Sequence, residues 1–399
     1  MKEKNSNKKA LLALAVGGFG IGLTEFVIMG ILPNVANALS ITIPEAGHFI
    51  SAYALGVVVG APLLTSLSRK IAPHRMLLLL MVWFTIFNTI SAFSSSYGFM
   101  LVARFLSGLP HGAFFGIGAV VAGKLAKEGK SAQAIAVMFS GLTIANVIGV
   151  PLGTYLGNQY DWSVSFLMVG VVGILALASV FYWMPQFEKD VKRPATSEEK
   201  GLKNLELWAL IALTTVGTGG FFAWYSYIAP LLTETVSLSE NAISIAMILA
   251  GLGMFCGNFI GAKLAEIFSP LRAVGISLLS MTIILVCNSF MISNVVVAMI
   301  FTFIVGMIAF TISTPIQMAI INSAKGSEML GSSMNQSAFN MGNALGAYLA
   351  GLPIAYGYSV STSSLVGACL AFSGATVALA ILIYRKQKIR KKNKIAYCS

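Results

Sequence analysis

The chain has 399 residues, of which 57% are hydrophobic and only 10% charged. Soluble domains carry roughly 25% charged residues, so with a mean hydropathy of +0.83 most of this chain is built to face something other than water. The formal net charge of +12 raises nucleic acid as a partner, but the basic residues sit in short clusters between long apolar runs, not on a basic face with interleaved aromatics, and this argues against that partner.

A membrane helix needs about 20 mostly apolar residues, and twelve runs of that kind follow one another. The first, 10–33, comes after Lys2, Lys4, Lys8 and Lys9. It is longer than the ~7–15-residue apolar stretch of a signal peptide and is expected to remain as the first membrane helix. Glu25 lies about 8 residues, roughly 12 Å at 1.5 Å per residue, inside its far end. Runs at 48–68 and 76–94 follow, then 98–123, which carries Arg104 at a similar depth. His111 comes two turns later on nearly the same face. A charge inside a membrane helix costs about 2.5–3.5 kcal/mol on insertion scales, so Glu25 and Arg104 are candidate functional residues, placed to pair or to sense each other. Burial and a nearby cation act in opposite directions on a carboxyl's hold on its proton. A shifting Arg104 contact would then switch Glu25 between binding and releasing a proton; a static ion pair orienting two helices is the plainer alternative. His111 is a relay or a hydrogen-bond partner for substrate, or a packed histidine.

The fifth run, 132–156, ends in Gly149-Val150-Pro151-Leu152-Gly153, with Gly157 just beyond. Small residues every four positions let helix backbones approach closely, and Pro151 removes a backbone donor and bends the helix. This predicts a pliable contact between two halves of the molecule, with ordinary glycine packing as the alternative. After the run at 163–184 comes the longest polar stretch, 185–204, of mixed charge with Pro194, which reads as a flexible linker. The seventh run, 205–232, carries Phe221, Phe222, Trp224, Tyr225 and Tyr227, which either line a cavity for an apolar or aromatic substrate or form an interfacial belt. Runs at 243–264, 273–293 and 295–320 precede 329–356, whose Asn335, Gln336, Asn340 and Asn343 are substrate contacts or interhelical hydrogen bonds. The last run, 363–384, leads into a basic tail, 385–399.

Only helices and closed barrels satisfy their backbone in lipid, and these runs far exceed the ~10-residue alternating segments of barrels. If Lys2 is cytoplasmic, every Lys and Arg except Arg104 falls in the N-terminal segment, the even-numbered gaps or the tail, while the opposite loops carry Glu45, Asp161, Glu234 and Glu240 and no Lys or Arg. That separation follows the positive-inside rule with both termini cytoplasmic. The chain also repeats itself. At a constant offset of 197 residues, Gly56 meets Gly253, Gly60 meets Gly257, Pro73 meets Pro270 and Arg75 meets Arg272. The same offset pairs Pro33 with Pro230, Asn146 with Asn343 and Gly149 with Gly346. The expected organisation is a six-helix half over 1–184, a cytoplasmic linker over 185–204, a second six-helix half over 205–384 and the basic tail over 385–399. With an even helix count per half the repeats are parallel, and a site is expected between them near the midplane.

No phosphate-binding G-x-x-x-x-G-K-[ST] loop is present, and His48, His74 and His111 are scattered. Cys256, Cys287, Cys369 and Cys398 stand singly, so neither a metal site nor a disulfide framework is indicated. No cofactor is expected, and a polytopic membrane enzyme would need a nucleophile, acid pair or metal cluster that the sequence does not offer.

Several stretches resemble the drug:proton antiporter branch of the major facilitator superfamily, chiefly its arabinose-efflux-permease-like and chloramphenicol-resistance-like members. Thr24-Glu25-Phe26-Val27-Ile28-Met29-Gly30-Ile31-Leu32-Pro33 is similar to that subgroup's first helix, and Ser51-Ala52-Tyr53-Ala54-Leu55-Gly56 to its second. Arg104-Phe105-Leu106-Ser107-Gly108 resembles the helix 4 motif whose Arg is implicated in proton handling, and Gly149 to Gly153 resembles the helix 5 antiporter motif of exporters. The loop between helices 2 and 3 departs from the family pattern: Arg69 stands at the usually acidic position, beside Lys70 and Arg75, whereas the repeat keeps Glu266 and Arg272. The resemblance covers essentially the whole chain. It implies an all-α membrane protein of twelve transmembrane helices in two pseudo-symmetric halves, a multi-pass protein of the bacterial inner membrane and a monomer. Its partners would be protons, a small solute such as a sugar, nucleoside or drug, and the lipid bilayer. Proton coupling would rest on Glu25, Arg104 and His111, and the substrate cavity on Tyr53, Phe222, Tyr225, Gln336 and Asn340. A proton-coupled importer is the alternative.

Overall fold

In the computed structural model, which describes residues 2–68, 71–127, 131–187, 204–324 and 328–398, the apolar runs are helices, as backbone in lipid requires. The first half holds α1 (Lys2–Gly30), α2 (Leu32–Ala38), α3 (Ile43–Ser68), α4 (Pro73–Ser91), α5 (Tyr97–Leu125), α6 (Ser131–Ile144), α7 (Val150–Gln159) and α8 (Trp162–Trp183), with a π-helical turn, Ala145–Gly149, joining α6 to α7. The second holds α9 (Leu205–Tyr225), α10 (Ile228–Val236), α11 (Ile243–Phe268), α12 (Pro270–Met291), α13 (Val295–Thr311), α14 (Ser313–Ser323), α15 (Glu328–Ala355) and α16 (Thr362–Cys398). Among the described residues, eleven helical segments are long and apolar enough to cross a membrane. The twelfth predicted run is α15, whose Ser, Asn and Gln residues make it too polar to join that set. It packs against α9 and α3, and Ser333, Asn335, Asn340 and Asn343 are buried there.

Two predicted helices are broken, and at matching places. The first run stops at Ile31 (φ −113°, ψ 13°) and restarts as α2 with Pro33 in its first turn. The seventh stops at Tyr227 (φ −112°, ψ 20°) and restarts as α10 with Pro230 in its first turn. Proline there cannot continue the preceding helix, because its ring clashes with the earlier turn and it has no N–H to donate. The repeat extends to packing. A Cβ on Gly56 or Gly60 of α3 would run into the carbonyls of Phe105 and Leu109 on α5, and one on Gly253 or Gly257 of α11 into those of Phe303 and Met307 on α13. Glycine is required for the same close helix crossing in each half.

The halves meet along two seams: α15 lies against α3 and α5, and α11 against the π turn and α7. The larger apolar core runs through both halves, and a smaller one, around Leu210, Leu278 and Ile316, lies within the second. At the end bearing the acidic loops, α10 touches α1 and α2, and Glu240 bridges the halves, accepting from Asn34 Nδ2 at 3.0 Å on its carboxylate and from Asn158 Nδ2 at 2.7 Å on its backbone carbonyl. This acidic end is closed.

The predicted contact between halves at the fifth-run glycines is corrected. Gly149 and Gly153 face Phe19 and Val27 of α1, and Gly157 faces Ile31 at the break after α1 and Ser165 of α8, all within the first half. The seam uses another face of that span, where the Asn146 carbonyl meets Gly251 of α11. The basic tail is likewise not separate from the last run: α16 continues through it to Cys398, and Arg385 is held by an ion pair with Glu206 of α9.

Candidate functional site

Glu25 on α1 and Arg104 on α5 are 3% and 0% exposed. Two buried charges side by side would be expected to pair, yet the guanidinium goes elsewhere. Arg104 Nη1 donates to Thr24 Oγ1 at 3.0 Å and Nη2 to the Thr24 carbonyl at 3.2 Å. Thr24 Oγ1 in turn donates to Asn88 Oδ1 at 2.5 Å, and Asn88 Nδ2 donates to the Phe84 carbonyl at 2.8 Å. The result is a directed chain of hydrogen bonds from α5 through α1 into α4. Arg104 also lies under the Tyr53 ring, 4.4 Å from its centroid, and 5.5 Å from that of Phe166, two cation–π contacts that stabilise a desolvated guanidinium.

The α3–α5 crossing positions Tyr53, because Gly108 sits directly against the Tyr53 carbonyl. The Tyr53 hydroxyl then meets His111 Nδ1 at 3.2 Å, so Arg104 and His111 are joined through Tyr53. Pro110, just before His111, leaves the Leu106 carbonyl without its helical donor; Trp83 Nε1 of α4 supplies one at 2.8 Å. The bend is thereby tolerated, and the helix that carries both residues stays pinned to α4.

Glu25 is not tied into this network. Its carboxyl lies within electrostatic reach of Arg104 and close to Asn343 of α15, but the Asn343 amide closes no regular hydrogen bond: both its oxygen and its nitrogen are buried without a partner. Beside them the seventh-run aromatics face the interior and not a lipid interface, since Phe221, Phe222, Trp224, Tyr225 and Tyr227 are all buried. Phe222 stacks on Phe26 (centroids 6.4 Å apart) and meets Phe339 edge-on at 5.4 Å, and Tyr225 meets Phe26 at 5.9 Å. An aromatic floor thus spans α1, α9 and α15. On α15, Asn335 is a structural tie, bonded to Gln317 and Thr214. Gln336 is half-buried, and Asn340 donates to the Gln336 carbonyl at 3.1 Å while its own oxygen is buried and unpartnered.

The loop residues do not join this site. Arg75 and Arg272 are exposed at the basic end, and Glu266 pairs with Lys263 on its own helix at 3.1 Å. Arg69, Lys70 and most of the linker, 188–203, lie outside the described residues. Gly149 and Gly153 pack against Phe19, Leu23 and Val27 of α1, and Pro151 is buried between them in sequence. Among the described residues, no three His, Cys, Asp or Glu side chains gather as a metal site. Sequence reasoning missed Thr24, Asn88 and Phe26; Asn88 was the detectable one, an amide inside the last turn of an apolar helix.

Residues 14–347 match the family model described as Major Facilitator Superfamily. The chain belongs to the Major Facilitator Superfamily. It is 39% identical over 381 residues to AraJ of Escherichia coli (strain K12), covering 96% of this chain and 97% of that protein. It is 38% identical over 377 residues to the inner membrane transport protein YdhP of the same strain, covering 94% and 96%. A chloramphenicol resistance protein of Streptomyces lividans is 28% identical over 385 residues, covering 94% of each chain. This member of the superfamily is therefore a multi-pass membrane transporter, and its two halves with a buried polar site between them are the architecture of that superfamily.

Proposed function

We propose that this transporter is a proton-coupled exporter of a small organic solute, set in the bacterial inner membrane with both termini in the cytoplasm. The observation that carries the reading is the placement of Glu25. It is a buried carboxyl beside the seam between halves, near a cation whose hydrogen bonds go to Thr24. A group that ferries protons must be ionisable and must not be locked in one charge state, and Glu25 meets both conditions. The aromatic floor of Phe26, Phe222, Tyr225 and Phe339 suits a solute with an apolar or ring face, and Asn340 offers an unpaired oxygen for a polar group. The glycine–proline motif of the fifth span and the drug-resistance name of one relative favour export. Sugars, nucleosides and drugs share the required size and polarity.

Glu25→Gln preserves shape and cannot ionise. In vesicles with an imposed pH gradient and a panel of candidate solutes, gradient-driven efflux by this variant should fall at least tenfold. Solute–solute exchange, which need not cycle the proton, should be less impaired. Wild-type gradient-driven efflux by the variant would assign coupling to another group and leave Glu25 a structural residue.

A further inference from the structure

Asn343 is fully buried on α15 of the second half, and neither end of its amide closes a regular hydrogen bond, its one polar contact being a loose one with the Glu25 carboxyl. A buried polar atom left unpaired costs about 1–3 kcal/mol, so an amide with two such atoms is destabilising unless a partner completes it in some state of the protein. The neighbouring position is already anchored: Ser51 Oγ of α3 donates to the Ala344 carbonyl at 3.0 Å, which holds this turn of α15 against the first half. The group that Asn343 faces there is the Glu25 carboxyl.

A carboxylic acid and a primary amide are complementary. The acid O–H donates to the amide oxygen while the acid carbonyl accepts from the amide N–H, and both orphan atoms are satisfied at once. An ionised carboxylate can accept from the N–H but leaves the amide oxygen facing negative charge with no donor. We propose that Asn343 is the positioning residue through which the second half reads the proton on Glu25, pairing with the protonated acid and holding the halves closed at the acidic end. This rests on the reading of Glu25 as the proton carrier. A proton arriving from the acidic side would then close that side behind it. The other ionisable groups around Glu25 are Arg104 and His111 of α5 and Tyr53 of α3, while Tyr225 of α9 stands behind Phe26. All of them belong to helices other than α15, so on α15 the contact falls to Asn343.

The test is an electron–electron distance measurement on purified full-length protein, with spin labels at the exposed acidic-end positions 160 and 358, across a pH series. The unmodified pair of halves should shift towards the shorter distance as pH falls. Glu25→Gln should be insensitive to pH. Asn343→Leu should lose most of the shift, and Asn343→Asp should move its midpoint up by about one unit or more, because two adjacent carboxyls hold a shared proton more tightly. Movement of a pH midpoint is not something a mere packing role for Asn343 produces, and the Asp variant retains the size of the native side chain should the Leu variant fail to fold. A wild-type midpoint and amplitude in either folded Asn343 variant, with Glu25→Gln insensitive, overturns the role of Asn343 alone. No shift in the wild type, or an unchanged shift in Glu25→Gln, overturns the proton reading of Glu25 and this proposal with it.

Discussion

At the scale of single residues, the site divides its two charges between different tasks. Arg104 is held by Thr24, flanked by Tyr53 and Phe166, and joined through Thr24 to Asn88, so its position is over-determined. Glu25 one residue along α1 from Thr24 is left without a firm bond. Thr24→Val keeps the side-chain shape but removes the hydroxyl that accepts from Arg104 Nη1 and donates to Asn88, leaving the backbone carbonyl at position 24 as the acceptor for Nη2. Hydrogen bonds to charged groups contribute roughly 1.5–3 kcal/mol, and a fall in thermal stability of the detergent-purified protein should report a loss of that order. A guanidinium held only through that carbonyl can turn Nη1 towards Glu25 and favour its ionised form, so gradient-driven transport should require a steeper pH difference; an unchanged gradient dependence would show that the bond to the Thr24 hydroxyl is only structural. Glu25, Arg104 and His111 were legible in the sequence because charge and strong polarity are costly in lipid. Thr24 was not, since a threonine in a membrane helix is unremarkable until its neighbour in space is known, and Arg104 is 80 positions away.

At the scale of helices, the twelve runs were legible from length and hydropathy, and the repeated glycines predicted corresponding helices that turn out to make corresponding crossings. What periodicity could not supply was where a long run breaks and which face meets which neighbour. Pro33 and Pro230 marked the breaks only in retrospect, because a proline inside a membrane run ends a helix in one context and merely bends it in another: Pro62 and Pro110 stay inside α3 and α5. The π turn before Pro151 has no sequence signature, and beyond it Gly153 points at α1. Leucine at position 153 would meet Val27 Cγ2, 2.7 Å from where its Cβ must stand. Overpacking of this kind costs about 1–3 kcal/mol. Gly153→Leu should therefore displace the first helix, and Glu25 with it. Insertion should survive while efflux falls by at least half and the midpoint of thermal unfolding drops; normal efflux and stability in a well-expressed variant would show that α1 yields without consequence.

At the scale of the whole molecule, transport requires the two halves to open alternately at their two ends around the central site, so whatever ties the acidic end must be broken in each cycle. The ties are Asn34 and Asn158 of the first half on Glu240 of the second, backed by the contact of α10 with α1 and α2. They are neutral amides on an exposed carboxylate and a carbonyl, bonds that contribute little against water and can be made and broken without a large barrier. The two halves themselves were legible from the constant offset, but this latch was not, because its members occupy unrelated positions in the repeat and meet only once the halves are docked. Replacing the reversible bond with a covalent one should stop the cycle. In a background lacking the native cysteines, Asn34→Cys combined with Glu240→Cys, treated with a short membrane-impermeant bis-maleimide on intact cells, should become cross-linked and lose nearly all efflux, whereas either single substitution, similarly treated, should retain most of it. Because the reagent stays outside, cross-linking also places the acidic end on the outer face, as the distribution of Lys and Arg predicts. A cross-linked double variant that still exports at the wild-type rate would mean that this end does not open, and the direction of access would have to be sought at another seam.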